Sequence, residues 1–243
     1  MLLGRVNFLP VKLLLAFIVA GSLSAVFGAA VLPSCAVGNV AGYARDTSYP
    51  GGGCAIGILD YYDFSYHPLS NAPLASAIGV SPEASGFSFG PVSAAPGQTV
   101  EFEIDYDIVI DPAPIITGDK LGLDPPKGNV VVTEFFCNDV EYVFSGSCLG
   151  SNALSLTVGT PGTNYPSSAQ ITFSKPATTS EQVGILFTLV GGTTGASFDG
   201  LDSTSVVVTS SVPEPPAAAA LLLGVPLLTW ALAGRRRKRP VID

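Results

Sequence analysis

The chain has 243 residues and a formal charge of −8, but seven of its eleven Lys and Arg lie within 1–30 and 235–239. Residues 31–216 therefore hold four basic against eighteen acidic side chains, a formal −14, which repels phosphates and anionic lipid and excludes nucleic-acid binding. A single His, and four Cys without a Cys-x-x-Cys spacing, argue against zinc.

Residues 1–30 read as a secretory signal. Arg5 and Lys12 give a positive start, 13–26 an apolar stretch, and Gly28 and Ala30 the small residues before a cut after Ala30 or a residue or two earlier. Leu32-Pro33-Ser34-Cys35 has the outline of a lipoprotein box, but proline is unusual inside one, and lipidating Cys35 would leave an odd number of thiols. Four cysteines in an exported chain instead predict two disulfides. Three connectivities are open, and sequence proximity favours Cys35–Cys54 and Cys137–Cys148.

The exported body, 31–209, is long enough for one buried core. Runs rich in Thr, Val, Ile, Phe and Tyr alternate with Gly, Pro, Asn and Ser clusters, and no stripe of period 3.6 emerges. Strands are predicted over 55–66, 86–90, 99–110, 129–136, 141–144, 153–158, 169–174, 183–190 and 203–210. The clearest is 99–110: Phe102, Ile104, Tyr106, Ile108 and Ile110 face one way, and Glu101, Glu103, Asp105 and Asp107 the other. The spacing predicts an all-β fold, two antiparallel sheets packed as a sandwich with Greek-key connections, a jelly roll being the nearest alternative.

The carboxylate stripe is the one unusual polar feature. Residues two apart on a strand lie roughly 7 Å from each other, so four like charges need screening. A solvated acidic face is expected. A calcium site would need further oxygens, from Asp111 or Asp119, to converge on the stripe. Glycoside cleavage would need two carboxyls facing across a cleft. Tyr61, Tyr62, Phe64 and Tyr66 offer a sugar-stacking surface, although core packing accounts for at least half of them.

Gly86-Phe87-Ser88-Phe89-Gly90 matches the G-x-S-x-G outline of a nucleophile elbow. Pro91 follows where a helix is required, His67 precedes Ser88, and Phe87 and Phe89 alternate as on a strand. His67, next to Pro68, reads as a surface or turn residue. No catalytic residue and no cofactor are expected.

The C-terminus carries three signals in order. Val212-Pro213-Glu214-Pro215-Pro216 holds the linker 210–216 extended. Residues 217–234 carry no charge over 18 positions, roughly 27 Å as a helix against a hydrocarbon core of ~30 Å. Arg235, Arg236, Arg237, Lys238 and Arg239 then hold the tail, 235–243, on the cytoplasmic side. Gly224 and Pro226 interrupt the helix, which suits a processed signal better than a permanent anchor.

This trio resembles the PEP-CTERM sorting signal of exopolysaccharide-producing Gram-negative bacteria. The resemblance implies an exosortase acting near Val212, Pro213, Glu214 and Pro215. It also implies an inner-membrane-anchored precursor with a periplasmic domain, then transfer to the cell surface or an exopolysaccharide matrix. Pro216 stands where that family usually has a small residue, so the cut position is open. The same segment also goes under an ice-binding C-terminal label, but Thr193, Thr194 and Thr204 are too sparse for an ice-binding array. The body is similar to other exported proteins of that family at Gly52-Gly53-Cys54, Asp63-Phe64-Ser65-Tyr66, Pro96-Gly97-Gln98, the second cysteine pair and 191–197, and this implies architecture without an activity. The expected role is that of a non-catalytic surface or matrix protein, structural or adhesive. A cation-, carbohydrate- or ice-binding module is the alternative.

Overall fold

The structure is a computed structural model that describes residues 32–45, 52–110, 114–143, 146–160 and 163–209. The signal, the Pro-Glu-Pro linker, the apolar helix and the basic tail lie outside the described residues, as does Asp111. Among the described residues no helix is long and apolar enough to cross a membrane.

In chain order the elements are β1 (Gly38–Asn39), α1 (Val40–Arg45), β2 (Cys54–Ile56), β3 (Leu59–Ser70), a 3-10 turn (Ala75–Ala77), β4 (Gly79–Pro82), β5 (Gly86–Gly90) and β6 (Val92–Ala94). There follow β7 (Thr99–Val109), β8 (Ile115–Leu123), β9 (Asn129–Asn138), β10 (Tyr142–Val143), β11 (Ser147–Cys148), β12 (Ser151–Asn152) and β13 (Leu154–Gly159). The last four are β14 (Ser168–Ala177), β15 (Ser180–Val190), β16 (Ala196–Phe198) and β17 (Leu201–Val208).

Two six-stranded antiparallel sheets make a sandwich-like fold, the first ordered β13-β9-β15-β7-β3-β2 and the second β1-β4-β5-β17-β8-β14. Strands β10, β11 and β12 form a small flap, and β6 pairs with β16. Period-2 alternation drives this arrangement. Val100, Phe102, Ile104 and Tyr106 of β7 are all buried, as are Leu189, Phe187, Ile185 and Val183 of β15 in register beside them. Burying each such side chain contributes about 1.5–3 kcal/mol. Aromatic contacts join the sheets: Tyr61 meets Phe87 at 4.8 Å between ring centroids, and Phe187 meets Phe89 at 6.4 Å. Within the first sheet Phe102 stacks on Phe187 at 4.5 Å.

Three local expectations change. The run 55–66 is two strands, because Gly57 takes a positive φ of 63° and turns β2 back onto β3. Strand β8 went unpredicted because Gly118, Asp119, Lys120 and Gly122 hide its alternation, although Ile116, Leu121 and Leu123 are buried. His67 is a surface residue as expected, its side chain 43% exposed, but it sits within β3 rather than at a turn. Both disulfides form, Cys35–Cys54 with Cα atoms 4.9 Å apart and Cys137–Cys148 at 5.6 Å. Cys35 is thus committed to a disulfide rather than a lipid.

Candidate functional sites on the two outer faces

The acidic stripe lies on the outer face of the first sheet, but it is roofed rather than solvated. Glu103 is only 1% exposed. The flap β10–β12 folds back over it, and the Tyr142 hydroxyl donates to Glu103 Oε1. Gly146 N–H in turn donates to that hydroxyl at 3.1 Å, and the disulfide at Cys148 ties the flap to the end of β9. A run of four carboxylates does not advertise this, because the covering Tyr142 comes from some forty residues downstream.

Each carboxyl has its own means of tolerating its neighbours. Asp105 Oδ2 accepts from Ser65 Oγ at 3.2 Å and sits 2.9 Å from His67 Nε2. Burial, then the Glu103 charge beside it, pushes Asp105 up to about 7. Burial also raises Asp107 to about 6, partly offset by Gln182, whose amide donates to Asp107 Oδ2 at 2.9 Å. Thr188 Oγ1 donates to Glu101 at 3.4 Å. Protonation, the His67 contact and neutral donors therefore screen the stripe in place of bulk water. Asp119, one oxygen source a calcium site would need here, points into the core at 2% exposure. Among the described residues no group of three or more His, Cys, Asp and Glu is placed to hold a metal ion.

Ser65, His67 and Asp105 do not have the geometry of a nucleophilic triad. A nucleophilic triad uses the two ring nitrogens for different partners. Here Ser65 Oγ, at 3.0 Å, and Asp105 both contact Nε2. Ser88 belongs to β5, its neighbours Phe87 and Phe89 fill the core, and the next element is β6 rather than a helix. The four aromatics divide as well. Tyr61 and Phe64 are buried against Phe87 and Tyr106, leaving Tyr62 and Tyr66 half-buried, and Tyr66 donates its hydroxyl to the Pro73 carbonyl.

The second sheet carries a groove on its outer face, of about 320 Å³. Its floor is set by register. Ser168 of β14, Gly122 of β8, Asp202 of β17 and Ser88 of β5 form one row across four strands, and Gln170, Lys120, Thr204 and Gly86 the next. Inner neighbours Leu121, Leu201 and Ser203 are buried, so their outer partners must face water. Glu83, Asp124 and Ser167 close the rim. Three carboxyls, one ammonium and several hydroxyls thus surround a glycine floor. No sequence motif marks this site, because its members come from four separated segments. The only hint is the polar alternation of Lys120 with Gly122 and of Asp202 with Thr204.

No family model matches the chain, and no curated protein matches it. Among solved structures it is similar to TmCBM61, a carbohydrate-binding module seen in complex with β-1,4-galactotriose: 13% identity, TM-score 0.35, over 59% of this chain and 88% of that one. It is also similar to the enzymatically active domain of bacteriophage CBA120 tailspike protein 4, at 8% identity and TM-score 0.32 over 63% of this chain. The match spans only 20% of the tailspike chain. Likenesses this slight bear on neither ligand nor reaction.

Proposed function

We propose that this protein is an exported, non-catalytic module of the cell surface or extracellular matrix that contacts polysaccharide through the groove on its second sheet. The observation that carries this reading is the groove's composition. Carboxylates at Glu83, Asp124 and Asp202 accept from hydroxyls, while Lys120 and the hydroxyls of Ser167 and Ser168 donate to them. Its volume lies at the small end of the range of about 300–1,000 Å³ for ligand sites, which suits one or two sugar units. With three acidic groups to one basic, it favours a neutral or amino sugar over a uronic acid.

The strand order supports a jelly roll. Setting aside β1 to β4, of which the twelve-residue β3 extends the first sheet beside β7, β5-β17-β8-β14 faces β7-β15-β9-β13, the pairing of two interleaved Greek keys. The two disulfides suit an oxidising, exported setting. Delivery is proposed to run through the tail at Val212-Pro213-Glu214-Pro215 and an exosortase, with inner-membrane anchoring by 217–234 as the intermediate state.

Binding is tested on a glycan array with the mature exported protein, followed by calorimetry on the Asp202→Ala/Lys120→Ala double variant. A neutral or amino-sugar glycan should bind, and the double variant should lose at least tenfold in affinity. An empty array, or binding unchanged in the double variant, removes the groove from consideration. Delivery is tested by the mass of the mature protein: a new end near 213–216 supports it, and a chain intact to Asp243 overturns it.

A further inference from the structure

Three carboxyls lie where carboxyls rarely do. Asp119 of β8, Glu134 of β9 and Glu181 of β15 are 2%, 0% and 0% exposed, inside the space between the sheets. Among the described side chains none has a cationic neighbour: Lys120, Lys127 and Lys175 are all exposed, and His67 is on the outer face. The groups facing the cluster are Tyr61 from β3, Tyr106 from β7, Ser203 and Ser205 from β17, and Asp139 at the end of β9, while β14 presents Phe173 and Ala177. The Tyr61 hydroxyl, also fully buried, has no hydrogen-bond partner and lies in the field of Asp119 and Glu181.

We propose that this cluster is a proton-binding site in the core, and that loss of its protons in alkaline medium loosens the two sheets from one another. The argument is first one of solvation. A carboxylate stripped of water with no cation beside it is far less stable than the neutral acid. It is then one of bonding. As ionised acceptors, Asp119 Oδ2, Glu134 Oε2 and both Glu181 oxygens find no donor. A proton on Asp119 turns its contact with Glu181 into a hydrogen bond that crosses between the sheets. Ser203 donates to Glu134 and has one hydroxyl proton, so Tyr106 donates to Ser203 at 2.9 Å, giving a second crossing link.

Burial, and after it the Glu181 charge, holds Asp119 far above the usual carboxylate range. Burial raises Glu134 likewise, with Asp119 adding to it and Ser203 opposing. Glu181 is raised by burial to about 8, with the Asp119 hydrogen bond opposing. Folded values above unfolded ones mean the fold binds more protons. Stability is therefore fully present below the unfolded range, near 4.5 for Glu181, and is lost as pH climbs through about 8. Each carboxyl kept protonated in the fold makes the unfolding constant grow tenfold per pH unit within its window.

The test is thermal unfolding of the mature exported protein from pH 5 to pH 10, with and without calcium, beside the isosteric variants Glu181→Gln and Asp119→Asn. The midpoint should fall as pH rises, and the variants should flatten that fall, melting above the wild type at pH 9. Asp105→Asn reports the outer stripe and should flatten only the part below about pH 7. Because an amide variant in the core can fail to fold, Asp105→Asn, which removes the outer-stripe carboxyl that is itself half protonated near pH 7, supplies a second readout, an infrared carbonyl band from protonated carboxyl in the folded protein at pH 7 that vanishes in alkali. A pH-independent midpoint, absence of that band, or calcium restoring the midpoint at pH 9 overturns the proposal. None of these readouts depends on glycan binding.

Discussion

The ring of Tyr142 fills the space that a side chain at position 184 would need: a Cβ built on Gly184 would fall against its Oη and Cζ. Gly184 lies opposite Asp105 on one side and Phe135 on the other, so the missing side chain leaves a slot in the outer face of the first sheet. Tyr142 uses it to reach Glu103.

Substituting Gly184→Ala should therefore lift the flap. The strand itself tolerates alanine, so the cost arises from the displaced ring and the broken Tyr142–Glu103 bond, about 1–3 kcal/mol in all. Urea melts give the loss, and the Tyr142 backbone amide, now bonded to Gln182 Oε1, should exchange faster with solvent. Unchanged exchange would mean the flap is held elsewhere.

Opening the Cys137–Cys148 disulfide should act on the same flap from its other end. The bonded residues are 11 apart, and a loop of that order contributes about 3 kcal/mol through the unfolded chain. The Cys137→Ser/Cys148→Ser double variant should melt earlier. With Tyr142 freed, Glu103 should gain solvent and cease to hold up Asp105, moving the midpoint near pH 7 downward. An NMR titration of the Asp105 carboxyl reads this, and an unmoved midpoint refutes the link.

Strand β7 was legible in the sequence almost to the residue, because its alternation is strict and both faces are rich in type. The solvation of its acidic face was not. Alternation says which way Glu103 points, but whether water lies there depends on Tyr142, a non-local neighbour in a two-residue strand. Strand β8 shows the converse. Asp119 and Gly118 read as turn chemistry, and only burial opposite Glu181 reveals Asp119 as an inner-face residue. The groove was invisible for the same reason: register across β14, β8, β17 and β5 assembles it, and register is a property of pairing rather than of any one segment.

Asp139 governs the acid side of the stability curve. It takes a positive φ of 56°, which Asp tolerates, and its Oδ1 accepts from the N–H groups of Thr179 at 2.8 Å, Thr178 at 3.0 Å and Ser180 at 3.2 Å. Burial pushes this carboxyl up, but those N–H donors outweigh it and bring it down to about 2. A folded value below the unfolded one gives stability present above pH 4 and lost as pH falls toward 2. Asp139→Ala should cost about 1–3 kcal/mol at pH 7 and much less at pH 2, as measured by denaturant melts at both. Equal losses at the two pH values would show that its charge does not matter.

Gly122 separates folding from binding in the groove. A Cβ added there meets nothing nearer than Asp202 Cβ at 4.0 Å, and its φ is not in the left-handed region. Gly122→Leu should thus leave stability within about 1 kcal/mol of wild type, since a strand position gains from a branched side chain what it loses in exposed apolar surface. The leucine rises from the groove floor between Ser168 and Asp202, where a sugar ring would sit. Glycan affinity should fall at least tenfold while the melting curve stays in place. A variant that binds as well as wild type would place the glycan elsewhere on the protein, and one that unfolds would show that the floor glycine serves packing instead.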